Sequence, residues 1–189
     1  MTFNAGYYEK SEIENVGFKA IGKNVFISRL ANIVNPHNIS IGSNVRIDAF
    51  TTITAGPEIV EIGNYVHIAT GVVLIGGYGI KIGNYVTLSH HVCVFSKSDD
   101  YSGKGMTNPM VSRQVRCVKE EEVTLGNNVV VGASSVILPG VNILEGVSVG
   151  ALSLVNKSIS GIGVYAGVPA KFVASKSLEF LKLSNEIKE

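Results

Sequence analysis

Aliphatic residues recur at every sixth position over most of this chain. From Ile21 the blocks read IGKNVF ISRLAN IVNPHN, from Ile41 IGSNVR IDAFTT ITAGPE, from Ile62 IGNYVH IATGVV LIGGYG, and from Ile82 IGNYVT LSHHVC VFSKSD. After an interruption the frame resumes as LGNNVV VGASSV ILPGVN from Leu125 and ILEGVS VGALSL VNKSIS from Ile143. Repetition at a fixed period marks a solenoid, and so many blocks in one frame speak against a sandwich of short strands. In extended chain, positions of equal parity share a face. The first and fifth residues of a block therefore point inward, as with Ile82 and Val86, Leu88 and Val92, or Val131 and Ser135. The second position is often Gly, a residue that tolerates the backbone angles of a bend. Strands of about four residues between sharp bends form the sides of a triangular coil, so three blocks close one turn.

Two stretches leave the frame. Residues 97–122 are polar and rich in turn formers, and such an excursion from a rigid rod is a candidate functional loop. At the other break, SKSLEFLKLSNEIKE places Leu178, Leu181 and Ile187 at near-helical spacing, which predicts a short amphipathic helix over 175–188. An open solenoid end leaves strand edges unpaired, so this helix is expected to cover the last coil and residues 1–20 to cap the first. The expectation is one domain over 1–189, with coils at 21–96 and 123–173.

Composition narrows the classes. With 46% hydrophobic and 16% charged residues the chain is too apolar for disorder. Val and Ile fill 45 of 189 positions, Gly adds 21 and Trp is absent, which favours extended chain with frequent turns. A formal net charge of +1 suggests neither a nucleic acid nor a membrane surface as partner. No apolar run reaches bilayer length, and MTFNAGYYEKSEIEN lacks the basic and apolar regions of a secretory signal, so a cytoplasmic location is expected. Cys93 and Cys117 flank the polar stretch and read as free thiols.

The string YAGVPAKFV at 165–173, set behind those hexads, resembles the A-G-x-P-A-[KR] ending of acetyl-CoA-dependent acetyltransferases. The chain is similar to the hexapeptide-repeat family, including galactoside, maltose and bacterial polysaccharide sugar acetyltransferases, from Ile21 to about Val173. The resemblance implies an all-β fold, a left-handed parallel β-helix with a loop excursion and a C-terminal helix. The hand comes from the resemblance, because a left-handed crossover is the rare one for parallel strands. It also implies a homotrimer with clefts between subunits and acetyl-CoA as co-substrate. The acceptor would be a hydroxyl or amino group of a sugar or nucleotide-linked sugar, and SDDYSGKGMTNP is similar to a segment of surface-polysaccharide acyltransferases. By the same resemblance, Lys157 and Lys171 lie near the CoA phosphates, Gly167 shapes a bend, and Ala133, Ala151 and Asn156 line the pantetheine path.

Acetyl transfer needs a base for the acceptor's proton and a donor to the oxyanion. The histidines are His37, His67, His90 and His91, and His37, beside a turn in an early hexad, is set aside as structural. In the family the catalytic histidine sits in the excursion, where this chain has Asp99 and where no histidine follows. His67 occupies an outward-facing sixth position, and a His67 and Asp99 pair is the leading expectation, with His90 and His91 as rival bases. Asp100, Tyr101 and Asn108 of the excursion are expected to contact the sugar. Cys93 is not assigned as an acyl carrier, since direct transfer from CoA needs no covalent intermediate. The three outer histidines leave open a zinc enzyme similar to the gamma-type carbonic anhydrases, and a noncatalytic scaffold is the other alternative.

Overall fold

A computed structural model describes residues 6–187, so the first five residues of the expected N-terminal cap and the Lys188 end of the expected helix lie outside the described residues. Coils stack along one axis and build three parallel faces. The first face carries Ala20–Ile21, Ile39–Ile41, Val60–Ile62, Ile80–Ile82, Val123–Leu125 and Asn142–Ile143. The second carries Val25–Ile27, Val45–Ile47, His67–Ile68, Thr87–Leu88, Val130–Val131 and Ser148–Val149, and is extended by Val164–Ala166. The third carries Asn32–Val34, Thr52–Ala55, Val73–Gly76, Cys93–Phe95, Val136–Ile137 and Leu154–Val155. This is the left-handed parallel β-helix that the hexads and the family resemblance led us to expect.

The core follows from parity. Register sets Ile82 between Ile62 and Leu125, Leu88 between Ile68 and Val131, and Val94 between Leu74 and Ile137. Like residues thus form columns down the interior, and Leu88, Val92 and Val94 have no exposed surface. Each such side chain contributes about 1.5–3 kcal/mol by leaving water. The stiff χ1 of Val and Ile suits stacking at one strand spacing. Ser135 also points inward, with its hydroxyl donating to the Gly150 carbonyl at 2.9 Å.

The reason for the second-position glycines differs from the expectation. Gly42, Gly63, Gly83 and Gly126 have no positive φ. Their requirement is space, since a Cβ on Gly63 would sit 2.7 Å from the Gly83 carbonyl oxygen in the next coil. The left-handed backbone of the bend falls instead on the fourth position, at Asn24, Asn44, Tyr65, Tyr85 and Asn128, with φ from 54° to 59°. Asn adopts that region readily. Tyr65 and Tyr85 do so with their rings stacked, centroids 5.0 Å apart. At the third position Asn64, Asn84 and Asn127 accept the N–H of Ser43, Asn64 and Asn84 at 2.7–2.8 Å, which ties each coil to the one before.

Both ends of the rod are covered. Helix Lys10–Asn15 places Ile13 in the core below the first coil. At the other end Val164–Ala166 turns back into antiparallel Lys171–Ala174, so YAGVPAKFV is a hairpin. The C-terminal helix is Glu179–Glu186, shorter than expected, and Leu178 and Ile187 flank it exposed. Phe180 packs over Gly146 of the rod, and Leu181 beside it is half-buried.

Candidate active site

The excursion leaves the rod after Phe95 on the third face. Lys97–Ser98 pairs antiparallel with Lys119–Glu120, which pinches the loop at its root and makes it a flap beside that face. Between flap and rod lies a groove of about 1070 Å³. Its floor rises over three coils from Phe95 through Val136 and Leu138 to Asn156, and Asp99, Asp100, Tyr101, Cys117 and Lys119 stand on the flap side. An apolar floor with a few polar groups on one wall is the usual make-up of a small-molecule site. Phe95, Val136 and Leu138 were missed in the sequence, although apolar residues at outward parity were the available signal.

The flap treats its two adjacent carboxylates differently. Asp100 accepts hydrogen bonds from the N–H groups of Ser102 at 2.9 Å, Lys104 at 2.8 Å and Gly105 at 3.2 Å, and from the Ser102 hydroxyl at 2.7 Å. The Ser102 bonds lead in holding its carboxyl down at about 2. Asp100, expected to contact the sugar, therefore organises its own loop. Asp99 has no hydrogen bond or ion pair to its carboxylate among the described residues, and it lines the groove. Tyr101 also lines it and is 94% exposed. Asn108 does not. It has φ 68° and its Oδ1 accepts the Met110 N–H at 3.0 Å, so it shapes a turn.

Among the described residues no histidine lines the groove. The His67 and Asp99 pair is not formed within the chain, because His67 Nε2 lies 2.8 Å from Asp48 Oδ2. Asp48 also accepts from Arg46 Nε at 2.7 Å and from the Tyr7 hydroxyl at 3.0 Å. Burial pushes the Asp48 carboxyl up, and the hydrogen bonds from His67, Arg46 and Tyr7 together outweigh it and leave it below its ordinary range. The signal for this network was in the repeat frame, since Arg46 and His67 occupy the same outward position on successive coils. His90 and His91 sit at the corner between the second and third faces, where the His91 ring packs against Gly71 and the His90 carbonyl accepts the Ser134 N–H. Among the described residues no three His, Cys, Asp or Glu side chains lie close enough to hold a metal ion.

The residues assigned to CoA gather towards the C-terminal end of the rod. Asn156 lines the groove and Lys157 follows it, exposed. Ala133 and Ala151 occupy the corner of the second and third faces in successive coils, where the Ala133 carbonyl accepts the Leu152 N–H at 2.9 Å. Gly167 lies over the third face, accepting the Leu154 N–H at 3.0 Å and donating its own to Ser153 Oγ at 3.0 Å. Lys171 pairs with Ala166 in the hairpin and is exposed. Cys93 faces outward between Val73 and Val136, and burial pushes its thiol up, away from the reactive thiolate.

No family model matches the chain. It is 36% identical over 182 residues to the dTDP-4-amino-4,6-dideoxy-D-glucose acyltransferase of Escherichia coli, covering 96% of this chain and 95% of that one. Among solved structures, the N-acyltransferase AntD of Bacillus cereus, bound to dTDP and 3-hydroxybutyryl-CoA, superposes with a TM-score of 0.92 at 39% identity over 97% of this chain and 96% of that one. A variant of AntD bound to dTDP-4-amino-4,6-dideoxyglucose and coenzyme A gives 0.93 at 38% identity over 98% and 97%. The zinc-enzyme and scaffold readings find no support among these relatives. With its hexad-wound rod, its flap-covered groove and relatives matched over nearly its whole length, the chain belongs to the hexapeptide-repeat sugar acyltransferases and is an acyl-CoA-dependent enzyme.

Proposed function

We propose that this enzyme moves an acyl group from acyl-CoA to the amino group of a dTDP-linked amino sugar, with Asp99 taking the proton. One observation carries this reading: among the described residues, the groove holds an unpartnered carboxylate and no histidine. An alcohol keeps its proton until attack and needs a base of imidazole strength. A neutral amine attacks through its own lone pair and becomes acidic only afterwards, when a carboxylate is base enough. The amine nitrogen bonds to the thioester carbonyl carbon, the tetrahedral oxyanion collapses, and the carbon–sulfur bond breaks. The nitrogen's surplus proton passes to Asp99 and on to the departing CoA thiolate, so an amide and CoA thiol result. The acceptors named for the Escherichia coli relative and bound in AntD are of this kind. The pantetheine arm follows the apolar floor towards Asn156, past Ala133, Ala151 and Gly167, with Lys157 and Lys171 at the phosphates.

The assay is release of CoA thiol from acetyl-CoA and 3-hydroxybutyryl-CoA with paired acceptors. Turnover with dTDP-4-amino-4,6-dideoxyglucose and none with its 4-hydroxy counterpart is expected, and the reverse preference would overturn the amide reading.

The working unit in this reading is a trimer in the cytoplasm, where acyl-CoA and nucleotide sugars meet, supplying surface-polysaccharide synthesis. The faces support it. Outward positions of the first face are Ala20, Ser40, Glu61, Lys81, Thr124 and Asn142, whereas the third, polar at Asn32, Thr52 and Thr54 in its early coils, presents Val73, Ile75, Cys93, Phe95, Val136 and Leu154 over the later ones. A run of half-buried apolar side chains on one outer face fits burial against another subunit. Sedimentation equilibrium is expected to give three times the 20.0 kDa chain mass, and a monomer at assay concentration would overturn the trimer.

A further inference from the structure

Behind the root of the flap lies a second, smaller pocket of about 220 Å³, lined by Lys97, Arg113, Arg116, Val118 and Glu120. Three cations face one carboxylate there. Lys97 Nζ is 2.8 Å from Glu120 Oε1, and an Arg113 terminal nitrogen is 3.6 Å from Glu120 Oε2. The charges of Lys97, Arg113 and Arg116 all act on the Glu120 carboxyl, Lys97 most strongly, and hold it below its ordinary range. One oxyanion therefore already sits where the three cations converge, and their charge exceeds it by two. Among the described residues Arg116 Nε is buried with no hydrogen-bond partner, which is uncommon in a folded protein and leaves a charged donor ready for an acceptor atom.

We infer that this pocket binds the diphosphate of the nucleotide-linked acceptor, a proposal that rests on the acceptor reading above. Lys97 and Val118 line both this pocket and the groove that holds Asp99, so the two are neighbours across the flap root. A sugar nucleotide requires that arrangement, because the diphosphate on the anomeric carbon stands one pyranose ring from the acylated nitrogen. Arginine pairs suit phosphate oxygens through paired, charge-assisted hydrogen bonds. The CoA phosphates, assigned to Lys157 and Lys171 at the C-terminal end of the rod, are the other source of the same chemistry.

Calorimetric titration of the whole enzyme with dTDP and separately with CoA tests this. Arg113 has 83% of its side chain exposed, so Arg113→Ala leaves the fold intact and is expected to weaken dTDP about threefold to tenfold. Arg113→Ala with Arg116→Ala is expected to weaken it roughly tenfold to a hundredfold. Glu120→Gln removes the competing carboxylate and is expected to tighten dTDP severalfold, a change of sign that damage to the flap would not produce. CoA affinity stays constant throughout. Unchanged dTDP affinity in all three variants, loss of CoA affinity in its place, or no dTDP binding by the unaltered enzyme overturns the proposal. Acylation of a dTDP-amino sugar with a KM indifferent to the arginines defeats the pocket and spares the function. Arginine-dependent dTDP binding by an enzyme that acylates no amino sugar does the opposite.

Discussion

Asp99→Asn is expected to lower kcat about 10²- to 10⁴-fold, the span that a positioned general base ordinarily contributes. The KM for acyl-CoA is expected to stay within a factor of a few, because the apolar floor from Phe95 to Asn156 is untouched. Asn keeps the volume of the side chain, and since no flap residue bonds to the Asp99 carboxylate, the flap loses no internal contact. Activity of the variant is expected to recover in part at high pH, where solvent takes the proton that the carboxylate took. His67→Ala, by contrast, should turn over nearly as fast as the unaltered enzyme at saturating acceptor, since its ring is committed to Asp48. Steady-state kinetics on the two variants divides the readings. A near-normal Asp99→Asn beside a crippled His67→Ala would move the base to the second face and require it to reach the groove of a neighbouring subunit.

How these two residues differ in legibility shows what a repeat frame reveals. Parity is local, so the inward columns through Ile82, Leu88 and Val94 could be read from the hexads alone. Column neighbours could be read as well, and Arg46 below His67 is an instance. The groove could not, because it depends on Lys97–Ser98 finding Lys119–Glu120 across a flap without periodicity. Nor could the contrast between Asp99 and Asp100, adjacent residues of one type. Asp100 is drawn into a turn by three N–H groups that follow it, and that leaves Asp99 facing the groove. The C-terminal helix was placed correctly as an element, but of the three spaced residues only Leu181, half-buried, lies within it. Leu178 and Ile187 have suitable spacing yet fall outside Glu179–Glu186, and Phe180 packs over Gly146.

The second-position glycines carry the largest expected effect on stability, and the reason is distance between coils. A Cβ on Gly83 would lie 2.7 Å from Asn127 Oδ1 and 2.9 Å from Asn127 N and the Gly126 carbonyl carbon, closer than real Cβ atoms come. Backbone atoms cannot rotate aside as a side-chain end can. Relief therefore means parting the coils where Gly83 N–H donates to the Leu125 carbonyl at 2.8 Å and Asn84 N–H to Asn127 Oδ1 at 2.8 Å. Overpacking costs about 1–3 kcal/mol where side chains can yield, and a backbone clash belongs at the top of that range or above it. In a chain of this size that lowers Tm by roughly 5–10 °C for Gly83→Ala. Gly103→Ala is the opposite case. Gly103 has φ 77° at the flap with nothing within 4 Å of a Cβ, so its cost is the left-handed backbone alone, about 1–2 kcal/mol. That strain is confined to a flap outside the stacked coils and should leave the main thermal transition nearly in place. If glycine were needed for bend angles, the ranking would reverse, and a Gly83→Ala protein melting within a degree or two of the unaltered one would show that stacked coils do not depend on the close approach of their backbones.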